Sequence, residues 1–237
     1  MSAILATLHI VHEIEARVVA FDWPWAHGNA SLIAANWAKE KAGQPSLFNG
    51  RMFMAKSRAF EGGGRKLAME VFETDYAAYL AWRAQGWPDA GVNNFFSMAA
   101  IHGTDNAFLL AEMGADTANA GRIYFPSGTP DRSDLAGDRL DLALSAIREL
   151  GEETGLGPDD VTVAPEWVVI LDGPRIACMK PMRLRATAEA AKAKVDAFLA
   201  REAAPELGAM HVAHGEADLS RLKPAGFAAT YMRYVWA

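Results

Sequence analysis

The run Arg148-Glu149-Leu150-Gly151-Glu152-Glu153-Thr154-Gly155-Leu156 packs three carboxylates into five residues of a stretch with helical apolar spacing. At about 100° per residue, Glu149, Glu152 and Glu153 fall in one sector of that helix, and Leu140, Ala143, Leu144 and Ile147 fall in the opposite one. One face is expected to bury and the other to bind. Like charges at this spacing weaken an isolated helix by roughly a few tenths of a kcal/mol per pair, so a counter-charge is needed. Arg148 supplies one positive charge at most, and no Lys occurs between Lys66 and Lys180. A hard divalent cation would offset the remainder, since Mg²⁺ takes oxygen ligands and keeps waters and substrate phosphates in its other positions. For a bare Glu-Glu pair the structural alternative is a solvated acidic helix face.

The nine residues match every fixed position of the pattern REUxEExGU, with U aliphatic, which is the second half of the Nudix box. Upstream, Gly121-Arg122-Ile123-Tyr124-Phe125-Pro126-Ser127-Gly128 is similar to the strand and turn that precede that box. The chain thus resembles a Nudix hydrolase. The resemblance implies a helix-sheet-helix sandwich and hydrolysis of a pyrophosphate bond that depends on Mg²⁺, with Mn²⁺ as the alternative. It also implies Glu149, Glu152 and Glu153 as metal ligands, the carbonyl of Gly128 as a further oxygen, and Arg148 as the residue that orients the glutamates. Gly155 would end the box helix at a positive φ. The general base would come from a late loop, where Glu202, Glu206 and Glu216 lie; Glu206, after Pro205 and ahead of a strand at His211, is the choice.

The first half of the box departs from the family pattern. Its Gly and Glu slots hold Asp134 and Leu140, and if Gly128 is the family's Gly, residues 129–139 carry six extra residues. Pro130, Asp131, Ser133, Asp134 and Gly137 make that insertion read as a surface loop. Asp138 and Asp141 are both placed to stand in for the missing Glu.

With 237 residues, 51% of them hydrophobic, and a mean hydropathy near zero, the chain can bury a full core. A net charge of −6 argues against an extended nucleic-acid surface or an anionic-membrane partner. The expected partner is a small-molecule nucleotide substrate. Cys178, the single cysteine, sits in the apolar run Ile176-Ala177-Cys178-Met179 and reads as a buried thiol in a reducing compartment. The sequence opens on no leader pattern and holds no bilayer-length apolar run, so a cytoplasmic location is expected.

Along the chain, strands are expected at 3–11 and 16–21, a helix at 30–42, and a hairpin of 51–58 with 66–73 turning at Gly62-Gly63-Gly64. A helix follows at 75–85 with the stripe Tyr76, Tyr79, Leu80 and Trp82, capped by Thr74 or Asp75 and stopped by Gly86. Residues 87–94 read as a linker. Strands at 95–101 and 107–111 form a second hairpin, and more strands come at 161–163, 167–171 and 175–182. A helix at 186–203 and segments at 211–213 and 231–236 complete the chain. The order gives an α/β (α+β) protein, with an N-terminal α/β region over 1–90 and a Nudix domain over 95–237.

The N-terminal part narrows the resemblance. Leu47-Phe48-Asn49 with Phe53, the strand at 67–71, Asp75-Tyr76, and a box lengthened through Asp134-Leu135-Ala136-Gly137 are similar to the branch that includes the eukaryotic UDP-glucose-hydrolysing Nudix enzyme. That branch implies a UDP-sugar substrate, with ADP-ribose and coenzyme A derivatives next. Arg51, Lys56, Arg58, Arg65 and Lys66 place five positive charges in sixteen residues, and Arg51, Arg58 and Lys66 are the candidate substrate-binding residues. Phe48, Phe53 and Phe72 are more often core aromatics than stacking platforms. Trp23, Trp25, Trp82 and Trp87 suit either a core or a dimer surface, and nothing in the sequence fixes an oligomeric state. His211 and His214 are an i,i+3 pair outside a helix, which does not make a metal site. A nucleotide-sensing module that does not cleave stays open as a second class, because Leu140 stands in the Glu slot.

Overall fold

Apolar alternation and apolar runs resolve into two sheets in the computed structural model, which describes residues 6–237. Residues 3–5 of the first expected strand lie outside the described residues. Among the described residues the strands are, in chain order, β1 (Thr7–Val11), β2 (Glu13–Val18), β3 (Arg51–Glu61), β4 (Lys66–Asp75), β5 (Asn94–His102), β6 (Phe108–Met113), β7 (Ile123–Tyr124), β8 (Ser127–Gly128), β9 (Leu135–Ala136), β10 (Arg139–Leu140), β11 (Val161–Val163), β12 (Trp167–Asp172), β13 (Arg175–Leu184) and β14 (Leu207–Ala213). The helices are α1 (Pro24–Gly28), α2 (Ala30–Gly43), α3 (Tyr76–Ala84), α4 (Leu142–Thr154), α5 (Ala188–Leu199), α6 (Glu216–Leu222) and α7 (Gly226–Trp236). The protein is mixed α/β.

The larger sheet runs β1-β12-β13-β5-β6-β14, with β11 on β13, β7 on β6 and β8 on β5. Its β13–β5 pair is parallel. Residues Asn94 to Ile101 of β5 are buried without alternation, as a central strand covered on both faces requires. The smaller sheet runs β3-β4-β2-β10-β9, with β2 parallel to β4. The β3–β4 hairpin forms as read, turning through Gly62, Gly63 and Gly64, all at positive φ.

Strands cross the boundary drawn near residue 90 in both directions. β1 adds to the edge of the larger sheet on β12, while β9 and β10 extend the smaller sheet from β2. The two sheets also share a core, in which Val11, Phe53, Leu67 and Val71 pack with Leu140, Leu142, Trp167, Ile176 and Cys178. Cys178 is fully buried, and burial pushes its thiol up to about 12, leaving it inert at neutral pH.

Four local features go beyond the sequence reading. β1 and β2 enter different sheets. The insertion at 129–139 is more than a loop, because Gly137 at φ 69° closes a β9–β10 hairpin whose Leu140 pairs Ala16. Residues 87–94 are not a free linker along their whole length, since the backbone of Asn93 exchanges hydrogen bonds of 2.8 and 2.9 Å with Ala55. The segment at 231–236 lies within helix α7. No helix among the described residues is long and apolar enough to cross a membrane.

Candidate active site

Helix α4 carries the box. Asp141 caps it by accepting from the backbone N–H of Ala143 at 3.1 Å and of Leu144 at 2.9 Å. Gly155 ends it at φ 68°, its N–H donating to the Gly151 carbonyl at 2.9 Å. Leu142, Ala146 and Leu150 are buried. The expected split into an apolar face and a carboxylate face is corrected at two positions: Leu144 is 53% exposed, and Glu153 is only 4% exposed. At Glu153 the cause is β8, which lies across the C-terminal end of the helix, so that the Ser127 N–H donates to Glu153 Oε2 at 3.0 Å.

Arg148 gathers three carboxylates, with contacts of 2.9 Å to Glu149, 2.8 Å to Glu152 and 3.1 Å to Asp134. Asp134 is buried and also accepts the Asp131 N–H at 3.1 Å. It supplies the further carboxylate that spacing alone had left to Asp138 or Asp141. Asp141 is committed to the helix cap, and Asp138 sits 4.0 Å from Arg139 at the surface.

Three carboxylates of the site are held at a high proton affinity. Desolvation raises Glu153 to about 9, with Glu206 and Glu149 adding repulsion. Desolvation raises Glu149 to about 7, although Arg148 pulls it down. Glu206, on the lip of the cleft just before β14, is raised by desolvation and by Glu152. Five acids, Asp134, Glu149, Glu152, Glu153 and Glu206, therefore share this end of the cleft with the Arg148 guanidinium. The absence of a side chain at Gly128 makes room for the Glu149 carboxylate, which a Cβ there would push aside.

This donor set suits a hard divalent cation. It is all oxygen, and Glu153 Oε1 is buried without any hydrogen-bond partner, the condition a cation would relieve. Glu149, Glu152, Glu153 and the Gly128 carbonyl are the groups that would hold it. Among the described residues no three acidic, His or Cys side chains already converge on one point, as Glu149 and Glu152 are drawn to Arg148 instead. His211 pairs with Glu112 at 2.7 Å.

A cavity of about 640 Å³ opens beside the helix, and Gly128, Glu149, Glu152 and Glu206 line one side. Tyr79, Arg83, Trp87, Asn94, Arg122 and Arg175 are on its walls. Arg51, Arg58 and Lys66 are not brought to it. Arg51 pairs with Asp75 at 2.7 Å and Glu73 at 3.2 Å, Lys66 pairs with Glu13 and Glu15, and Arg58 donates to Asn93 Oδ1. The hairpin register sets Arg51 across from Asp75, so Arg51 and Lys66 are held by carboxylates and Arg58 by the Asn93 amide. Phe53 and Phe72 are core residues and Phe48 is 81% exposed, while Trp23 and Trp82 fill the N-terminal core. The cations Arg83, Arg122 and Arg175 were missed because no spacing rule links three positions so far apart; only the Tyr79/Arg83 turn of an aromatic-striped helix hinted at one of them.

No family model matches the sequence, and no curated protein matches it. Solved structures similar to it include a Nudix hydrolase from M. smegmatis, at 16% identity and a TM-score of 0.37 over 59% of this chain and 81% of that one. An Ap4A hydrolase of C. elegans is similar at 15% identity and a TM-score of 0.41, over 59% and 92%. The NUDIX domain of Shewanella oneidensis NrtR, solved with ADP ribose, is similar at 13% identity and a TM-score of 0.40, over 60% and 84%. What the site does is therefore read from its own residues.

Proposed function

We propose that this chain is a Nudix-type pyrophosphohydrolase that cleaves a nucleoside diphosphate linked to another moiety, with Mg²⁺ or Mn²⁺ as its cation. The observation that carries the reading is the acid cluster on α4, with Glu153 Oε1 buried and unpartnered beside a cleft of substrate size. A bound cation would neutralise the phosphate oxygens and make a water acidic enough to attack. Arg148 positions Glu149 and Glu152. Gly128 leaves room for the Glu149 carboxylate and offers its carbonyl. Glu206, held at a raised proton affinity on the lip, takes the proton from the attacking water.

UDP-sugar is the favoured substrate, on the strength of the N-terminal arrangement. Asn49 of the Leu47-Phe48-Asn49 turn accepts the Ala77 N–H at 2.8 Å, so the turn fixes α3, which walls the cavity. ADP-ribose and coenzyme A derivatives are the alternatives. A nucleotide sensor that does not cleave is the second reading, on the strength of Leu140 in the Glu slot.

Turnover of UDP-glucose, ADP-ribose, coenzyme A, dinucleoside polyphosphates and nucleoside triphosphates, each with and without Mg²⁺, tests the proposal. Metal-dependent UMP release from UDP-glucose is expected, reduced about 10²- to 10³-fold in Glu153→Gln. Turnover of another member would keep the hydrolase and discard the UDP-sugar, whereas binding without turnover would replace the enzyme with the sensor.

A further inference from the structure

The cavity that the acids line also holds a polar atom with nothing to bind. Asn94 opens β5, is 5% exposed and lines the cavity. Its Nδ2 donates to the Tyr79 hydroxyl at 3.3 Å, while its Oδ1 is buried without a partner. Exchanging the amide's O and N only exchanges which of the two is left over. Buried amide atoms are nearly always hydrogen-bonded, so this one marks a place where a ligand atom belongs.

Flat surfaces surround it. Tyr79 and Trp87 line the cavity with ring centroids 6.2 Å apart. Trp87 sits at φ 64°, a left-handed conformation that bulky residues rarely adopt. Its N–H donates to the Trp82 carbonyl at 3.0 Å, and the two indoles meet edge to face at 4.6 Å. The strained turn thus folds the indole back onto the cavity wall rather than along the outgoing chain. Arg175 lies opposite Asn94 on β13, with its guanidinium 5.8 Å from the ring centre of Phe227, which stacks edge-on with Phe96.

We propose that Asn94, Tyr79 and Trp87 form the nucleobase subsite of this cleft, reading the edge of a planar base with the Asn94 amide while the aromatic rings take its face. The inference rests on the proposed function and names the part of its substrate that this wall recognises. An amide presents a donor and an acceptor side by side, which matches a base edge carrying both. Aromatic faces add sequence-tolerant stacking. The N-terminal helix α3 and the turn after it thereby become the reader of the substrate, and the acids of α4 act on the diphosphate in the same cavity.

Equilibrium binding of UMP, CMP, AMP and GMP to the full chain without metal, set against ribose 5-phosphate as a base-free probe, tests the subsite directly. At least one nucleotide is expected to bind about tenfold or more tightly than ribose 5-phosphate, and Asn94→Ala is expected to remove about tenfold of that preference. In turnover the same variant raises KM for the matching substrate and leaves kcat nearly unchanged, a split that a purely structural defect would not give. Trp87→Leu, on the half-buried rim, is the second variant should Asn94→Ala fail to fold, and it is expected to lose base preference as well. Equal binding of all five probes, or unchanged preference in the variants, overturns the subsite and leaves this wall to the other moiety. Base-selective binding lost in Asn94→Ala, with no turnover of any compound, keeps the subsite and sinks the hydrolase.

Discussion

Glu153 is where burial and charge pull hardest against each other. Burial holds it at about 9 and Glu149 at about 7, both above the ordinary carboxylate value of 4.5. Between that value and those levels the folded chain binds more protons than the unfolded chain, so without metal the protein loses stability as pH rises through the window. A cation competes with those protons. Thermal melts of metal-free protein are therefore expected to show Tm falling from about pH 5 to about pH 9, with Mg²⁺ restoring it at the alkaline end and adding little at the acid end. A Tm that rises with pH in the absence of metal would show that the acids are not strained as described. Asp134 illustrates the limit of pattern matching at this scale: an unremarkable loop acid by spacing, it is buried against Arg148.

At the scale of the element, α4 is defined by its two ends. Asp141 supplies the cap at the start, and Gly155 closes the helix where a Cβ would strike the Phe198 ring of α5. Its φ of 68° adds the steric cost that any L side chain meets in left-handed backbone. Gly155→Ala is expected to destabilise the fold by about 2 kcal/mol, read as a lower urea midpoint at unchanged m. A loss below about 0.5 kcal/mol would mean that α5 yields to the new side chain. The insertion hairpin β9–β10 follows similar logic, since Gly137 makes the turn and β2 supplies the partner strand that a loop reading lacks.

For the whole molecule, the shared core decides how the chain can be divided. β1 covers an edge of the larger sheet, β9 and β10 belong to the smaller one, and Phe53 and Leu67 pack in one cluster with Trp167 and Ile176. A fragment of residues 95–237 would expose that apolar face and the β12 edge. It is expected to aggregate or to unfold without cooperativity in urea, whereas the full chain unfolds in one transition. Cooperative unfolding of the fragment at the stability of the full chain would restore a true domain boundary near residue 90.

Elements with local causes were legible in the chain before it folded. The box run placed α4 and its acids, Gly155 its end, the Gly62-Gly63-Gly64 turn the β3–β4 hairpin, and the apolar setting of Cys178 its burial, because each depends on periodicity, turn chemistry or hydropathy within a short window. Which distant residues meet was settled by the fold. Asn94, Tyr79 and Arg175 come from a strand start, a helix and another strand, and Asp134 reaches Arg148 across an insertion. The cations of the β3–β4 hairpin lost their candidacy for the same reason, because each found a partner across the strands or in a neighbouring segment. Such pairings are set by sheet order and burial, which no single window of sequence contains.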